Sequence, residues 1–150
     1  MGDTWENLSR VQLGLAGEYY ARMLFQRHKF QIYIPCTDDH GVDFIAIAPE
    51  AKSFYAVQVK SVRDSYTFIA KDKLTLDDNH LVCYVRFPSS GEPELFIIPT
   101  KEWESPNALL TSRSYESKKS TPEYGINSSQ KARALLEGYA SERFFDALNG

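Results

Sequence analysis

The sequence predicts a single α/β domain over residues 1–150, and three features carry that expectation. Residues 8–28, LSRVQLGLAGEYYARMLFQRH, have the spacing of an amphipathic helix. Five runs rich in β-branched and aromatic residues follow, at 31–36, 42–48, 53–62, 81–87 and 94–99. A further helical stretch closes the chain at about 128–148. With 150 residues, 43% hydrophobic and 25% charged, the chain has the composition of one ordinary globular domain with enough length for a core.

Taken in order, the N-terminal MGDTWENLSR lacks a secretory apolar core, and no run of 18 apolar residues occurs, so the expected location is the cytoplasm and no membrane is expected as a partner. Glu6 stands where N-myristoylation requires Ser or Thr. Ser9 is the natural N-cap of the first helix. Helical spacing puts Val11, Leu15, Glu18, Arg22 and Phe25 in one row, so Glu18 sits in a largely apolar stripe. It is either an i,i+4 partner of Arg22, worth a few tenths of a kcal/mol, or a carboxylate with another use. Gly17 beside it suits close approach of the helix to a strand.

QIYIPC (31–36) reads as a strand and TDDHG (37–41) as a polar turn. Asp38, Asp39 and His40 have metal-ligating chemistry, but aspartate is also favoured in turns for its side-chain bonds to backbone, and the turn is the preferred reading. The strands 42–48 and 53–62 are joined by PEAK (49–52). The polar stretch after Lys60 contains a short strand, TFIA. LVCYVRF (81–87) and ELFIIP (94–99) are strands joined by PSSGEP (88–93), and a helix starts near Thr100 with Lys101, Glu102 and Trp103. Residues 111–128 are apolar-poor and read as a long loop. The closing helix carries Leu135, Leu136, Tyr139, Phe144, Phe145 and Leu148, a set large enough that part of it is read as a subunit interface. Cys36 and Cys83 read as reduced core residues rather than a zinc site. His28 and His80 have no neighbours suited to nucleophilic chemistry, and the chain has neither internal repeats nor a glycine-rich phosphate loop.

The net charge of −3 argues against binding nucleic acid through bulk positive charge, although distribution counts for more than the sum. Two local clusters are candidates for phosphate contact. Lys60, Arg63, Lys71 and Lys73 form one, and Arg113, Lys118 and Lys119 the other; solvated surface is the alternative for both.

The stretch that concentrates function is 41–61, GVDFIAIAPEAKSFYAVQVKS. Alternation puts Gln58 and Lys60 on one face of their strand and Val57 and Val59 on the other. A hairpin through 49–52 brings Asp43 opposite the Gln58–Lys60 end. Asp43 and Lys60 could form a cross-strand ion pair on a solvated face. Their neighbours, Ile45 and Ile47 for Asp43 and Phe54, Ala56 and Val62 for Lys60, imply partial desolvation, which calls for a partner or a ligand.

Asp43, then Gln58-Val59-Lys60 on the next strand, with Gly17-Glu18 on the preceding helix, resembles the PD-(D/E)xK nuclease superfamily in its Gln-x-Lys variant, and within it the intron-encoded (group I) homing endonuclease branch. The ordered set spans about residues 11–62, and the elements up to about 100 suit the superfamily's core. The resemblance implies a restriction-endonuclease-like αβββαβ fold, a mixed central sheet flanked by helices, here with an extra C-terminal helix. It implies a Mg²⁺-dependent, sequence-specific endonuclease acting on double-stranded DNA, with Mn²⁺ as a substitute. Glu18 and Asp43 would ligate the metal with the Gln58 amide oxygen and the Val59 backbone carbonyl, and Lys60 would orient or deprotonate the attacking water or stabilise developing charge. A homo-oligomer is implied, a tetramer in preference to a dimer, with 63–80 or 111–127 reading bases. This chain departs from the family pattern at Val42, which replaces the name-giving proline, and at Gln58, whose neutral amide replaces an acidic ligand. The alternatives are a Holliday-junction-resolvase-like, restriction or repair nuclease of the same fold, and a non-catalytic DNA-binding or interaction module.

Overall fold

The computed structural model describes residues 5–37, 40–51, 53–63, 65–114 and 121–149. Helix α1 runs Arg10–Arg27 behind the expected cap: Gln12 N–H donates to Ser9 Oγ at 3.1 Å and Ser9 N–H donates to Gln12 Oε1 at 2.9 Å, a reciprocal capping box. Strands β1 (Gln31–Tyr33), β2 (Phe44–Ile47) and β3 (Phe54–Val62) follow, then β4 (Thr67–Ala70), β5 (His80–Arg86) and β6 (Glu94–Pro99). Strands β7 (Leu110–Arg113) and β8 (Glu123–Ile126) and helices α2 (Gln130–Glu137) and α3 (Ser141–Asn149) complete the chain.

The central sheet has the order β1-β2-β3-β5-β6. Its pairs are antiparallel except β3 with β5, which is parallel, so the sheet is mixed, flanked by helices as the fold class anticipates. Parallel neighbours need a crossover connection, usually a helix. Here residues 63–79 supply β4 and a short 3₁₀ turn at Lys71–Lys73 instead. β4 leaves the central sheet to pair in a second one, ordered β4-β8-β7.

Two cores result, one on each face. α1 and α3 cover the first, with Ala21, Phe25, Phe44, Val57, Cys83, Ile97 and Phe145 buried together. The small sheet and α2 cover the second, over Val62, Val82, Tyr84, Phe96, Ile98 and Trp103. The Trp103 indole N–H donates to the Gly125 carbonyl at 3.1 Å, which satisfies its polar end inside this core.

Three expectations are corrected. The stretch 111–128 is not simply a loop: it begins and ends in strands, although Leu110 and Ile126 are the large apolar residues they bury. The closing helix is two helices, α2 and α3, separated where the Tyr139 carbonyl accepts from Ile97 N–H at 2.8 Å and Ala140 bridges to Phe96. Of its apolar set, Leu136 lies in the second core and Phe145 in the first, while Leu135 and Leu148 are 40% and 42% exposed. Cys36 is exposed rather than core, while Cys83 is buried as expected.

Candidate active site

β2 and β3 pair only from Phe44↔Val57 to Ile47↔Phe54, so β3 continues past Val57 with no β2 partner along that edge. The Asp43 N–H donates to the Val57 carbonyl at 2.8 Å, one residue off the register of the ladder, and the chain turns away there. Its carboxylate takes the place of the missing strand: Val59 N–H donates to Asp43 Oδ2 at 2.7 Å. Within a strand, a residue's N–H and C=O point to the same edge. The Val59 carbonyl therefore faces the same gap as the Asp43 carboxylate.

Gln58 and Lys60 project to the face opposite α1, in register with Val82 and Tyr84 of β5. The Gln58 amide is covered by Gly41. A Cβ at Gly41, where φ is +78°, would lie 3.2 Å from both Gln58 Oε1 and Nε2 and 3.1 Å from the Lys73 carbonyl, so both the backbone conformation and the space call for glycine. Gln58 lines a cavity of about 40 Å³ with His40, Lys73 and His80, room for very few waters. His80 Nδ1 lies 2.8 Å from Asp77 Oδ1. Slight burial raises the Asp77 pKa, but hydrogen bonds from His80 and the Asn79 N–H outweigh it and hold the carboxyl below its ordinary value.

Glu18 lies on α1 one residue past the point where the helix crosses β3. There a Cβ on Gly17 would collide with Ser61 Oγ and lie 3.6 Å from Val59 Cγ1, so the close approach expected of Gly17 is what it provides. Glu18 is half-buried, and its carbonyl accepts from Arg22 Nε at 3.4 Å. Asp43 also acts beyond its own bond: burial first, then the Asp43 charge, push the Cys83 thiol far above its ordinary pKa, so Cys83 stays protonated and inert.

Among the described residues, no group of three or more His, Cys, Asp or Glu side chains converges as a metal cage. The oxygen donors along this part of the sheet are of mixed type: the Asp43 carboxylate and the Val59 carbonyl in the strand gap, and the Gln58 amide on the sheet face beside Gly41. Hard oxygen donors fit Mg²⁺ or Mn²⁺ and not zinc.

The cationic candidates fall into different settings. Arg63 Nη2 donates to the carbonyls of Leu8 at 2.6 Å, Trp5 at 3.0 Å and Glu6 at 3.3 Å, so it fastens the N-terminal segment to the end of β3. The Lys71 ammonium stands 5.0 Å from the Tyr124 ring centre and the Arg113 guanidinium 5.1 Å from that of Tyr66. Lys73 is exposed. Lys118 and Lys119, with Asp38 and Asp39, lie outside the described residues. The sequence reading missed a cleft of about 380 Å³ beside Tyr84, lined by Arg86, Ser129, Gln130 and Arg133 among others. Glu94 bridges its two arginines, accepting from Arg86 Nη1 and Arg133 Nη2, both at 3.0 Å, which offsets much of their charge. The one available signal was Arg86, two residues beyond Tyr84, the register partner of Lys60 on β5.

No family model matches the chain, and no curated protein does. Among solved structures the chain is similar to Hjc, a Holliday junction resolvase from the archaeal hyperthermophile Archaeoglobus fulgidus. The identity is 10% and the TM-score 0.49, over 81% of this chain and 88% of that one. Likeness at that level assigns neither activity nor substrate.

Proposed function

We propose that the protein is a metal-dependent endonuclease that hydrolyses phosphodiester bonds in double-stranded DNA at a defined sequence, in the manner of the homing enzymes. The observation that carries this reading is the Asp43 carboxylate bonded to Val59 N–H where β2 and β3 part, with Gln58 and Lys60 on either side of Val59. Asp43 and the Val59 carbonyl, with Gln58 and Glu18, would hold Mg²⁺, or Mn²⁺ in its place. The cation, when bound, would supply charge neutralisation at the phosphate and a more acidic water. Asp43 is oriented for this by its bond to the backbone, as ligands commonly are by a second partner. Lys60 positions the attacking water or meets the negative charge that develops on the phosphate oxygens. Lys71, Lys73 and Arg113 are the described residues best suited to hold the DNA backbone. Cutting both strands calls for at least two centres, hence a homo-oligomer, with a tetramer the form the resemblance favours.

The test is incubation of the purified protein with a library of linear duplexes and with four-way branched DNA, in Mg²⁺, Mn²⁺ or EDTA. Cleavage of a particular duplex sequence that EDTA abolishes is the expected result. Cutting confined to branched DNA would replace sequence recognition by junction recognition. Binding without cutting under every condition would remove the enzymatic reading.

A further inference from the structure

α1 is apolar on two opposite faces. Leu13, Gly17, Ala21 and Phe25 are buried against the sheet. Val11, Leu15, Tyr19 and Met23 form a second row at the same four-residue spacing, 74%, 46%, 64% and 45% exposed. The rows are offset by two residues, which is about 200° around an α-helix, so the second faces directly away from the core. A surface helix normally shows solvent a polar face. These four side chains together offer on the order of 400 Å² of accessible apolar surface, the size of patch that marks a docking site.

The order of residues along this face identifies the occupant. Tyr19 is its centre; Leu15 and Met23 lie four residues to either side, and Gln12 and Gln26, both exposed, lie seven. Between Gln12 and Gln26 the face therefore reads the same in both directions: amide, aliphatic, tyrosine, aliphatic, amide; beyond them the symmetry ends, and Val11 falls opposite the partner's Arg27, whose aliphatic stem offers it apolar cover. We infer that α1 is a two-fold homodimer interface, in which a second copy packs its own α1 antiparallel with the axis at Tyr19. Isologous contacts require a self-complementary surface, and this pairing puts Leu15 on the partner's Met23 and Gln12 on the partner's Gln26. Ala16 falls opposite the partner's Arg22, which leaves room for the long side chain that stands 4.6 Å from the Tyr19 ring centre. The Gln12 carbonyl oxygen is already taken by Ser9 N–H, leaving its NH₂ to donate to the partner's Gln26. The apolar row gives about half of the roughly 800 Å² each partner buries in a standard interface, and Gln12, Ala16, Arg22 and Gln26 extend it. Two cations, Arg22 and Arg27, lie at the margins of the row and none at its centre, which favours protein over DNA as the occupant. The inference deepens the homo-oligomer element of the proposed function, and it stands whether or not DNA is cut.

Sedimentation equilibrium without DNA or metal tests it. At least twice the chain mass of 17.1 kDa is expected for the wild type at micromolar concentration, and Tyr19→Glu should weaken association at this interface at least about tenfold. Gln12→Lys with Gln26→Glu should keep the dimer, whereas Gln12→Lys with Gln26→Lys should split it. This contrast holds even if Tyr19→Glu folds poorly, since both double variants alter the cap residue Gln12 alike. In a Cys36→Ser background, Tyr19→Cys should cross-link on oxidation. A monomeric wild type overturns the inference, as does an oligomer indifferent to all these changes. So does loss of DNA affinity in Tyr19→Glu with the mass of a single chain throughout. Because no cleavage is measured, an inactive protein would count against the nuclease reading alone.

Discussion

On the proposed function the Asp43 carboxylate has two demands on it, and different substitutions separate them. Asparagine keeps an oxygen for the Val59 N–H but removes the charge a cation needs. Alanine removes both and leaves a backbone donor unpaired, at a cost of about 1–3 kcal/mol. Asp43→Asn is therefore expected to melt close to the wild type and Asp43→Ala several degrees lower, with cleavage reduced at least about a hundredfold in each. Thermal melts and single-turnover cleavage read the two effects apart; an active Asp43→Asn protein would place Asp43 in a structural role only. Gln58 gives the complementary experiment. Its amide is fitted under Gly41, so the near-isosteric Gln58→Glu should fold, and the added charge should lower the Mg²⁺ midpoint for cleavage. An unchanged midpoint would put Gln58 outside the coordination shell, with a role in holding water or Lys60. The residues themselves were legible because they lie on a short hairpin, where register follows from the connection. The Asp43–Val59 bond was not, because it depends on where β2 stops pairing.

At Gly17 helix α1 is pressed against Ser61 of β3, and the chain bears a cost for it. Ser61 Oγ is buried with no hydrogen-bond partner among the described residues, directly under Gly17. Gly17→Ala should destabilise by about 1–3 kcal/mol through overpacking. Ser61→Ala removes an unpaired buried hydroxyl, so it should be neutral or stabilising, and it should recover part of the loss when combined with Gly17→Ala. Additive melting shifts in the double variant would show that the two do not meet as described. Gly14 is the contrast: a Cβ there has nothing within 4 Å. Gly14→Ala is expected to stabilise the protein by about 0.5–1 kcal/mol, measured by denaturant titration. The helix with its cap and the strands of the central sheet were visible because period and propensity are local. β7 and β8 were not, since each is four residues long in a stretch of Ser, Thr, Tyr and charge, and their pairing comes from partners distant in sequence. The break between α2 and α3 is likewise a long-range effect, because residues 139–140 occupy the edge of β6, which would otherwise be open to pairing with another chain.

On the proposed function a protein of net charge −3 would hold DNA with few cations in the right places, and the fold sorts those that proximity in sequence grouped together. Lys60, Arg63, Lys71 and Lys73 read as one cluster along the chain. Folded, Lys60 lies on the central sheet, Lys71 and Lys73 on the crossover turn beside Gln58, and Arg63 against the N-terminal segment. Sequence spacing could not separate them, because a guanidinium that fastens a loop and one that meets a phosphate are the same residue type. Arg63→Ala should cost about 1–3 kcal/mol, since three carbonyls lose their charged donor, and lower the melting temperature by several degrees. It should leave the salt dependence of DNA binding unchanged. Lys71→Ala with Lys73→Ala should do the reverse: little change in melting, and a slope of log K against log salt shallower by up to about two phosphate contacts, near 0.9 for each. Fluorescence anisotropy of a labelled duplex across a salt series, beside thermal melts of the same preparations, measures both quantities. A shallower slope for Arg63→Ala at full stability would return it to the DNA surface, and an unchanged slope for the lysine pair would move the backbone contacts to Arg113 and the cleft of Arg86 and Arg133.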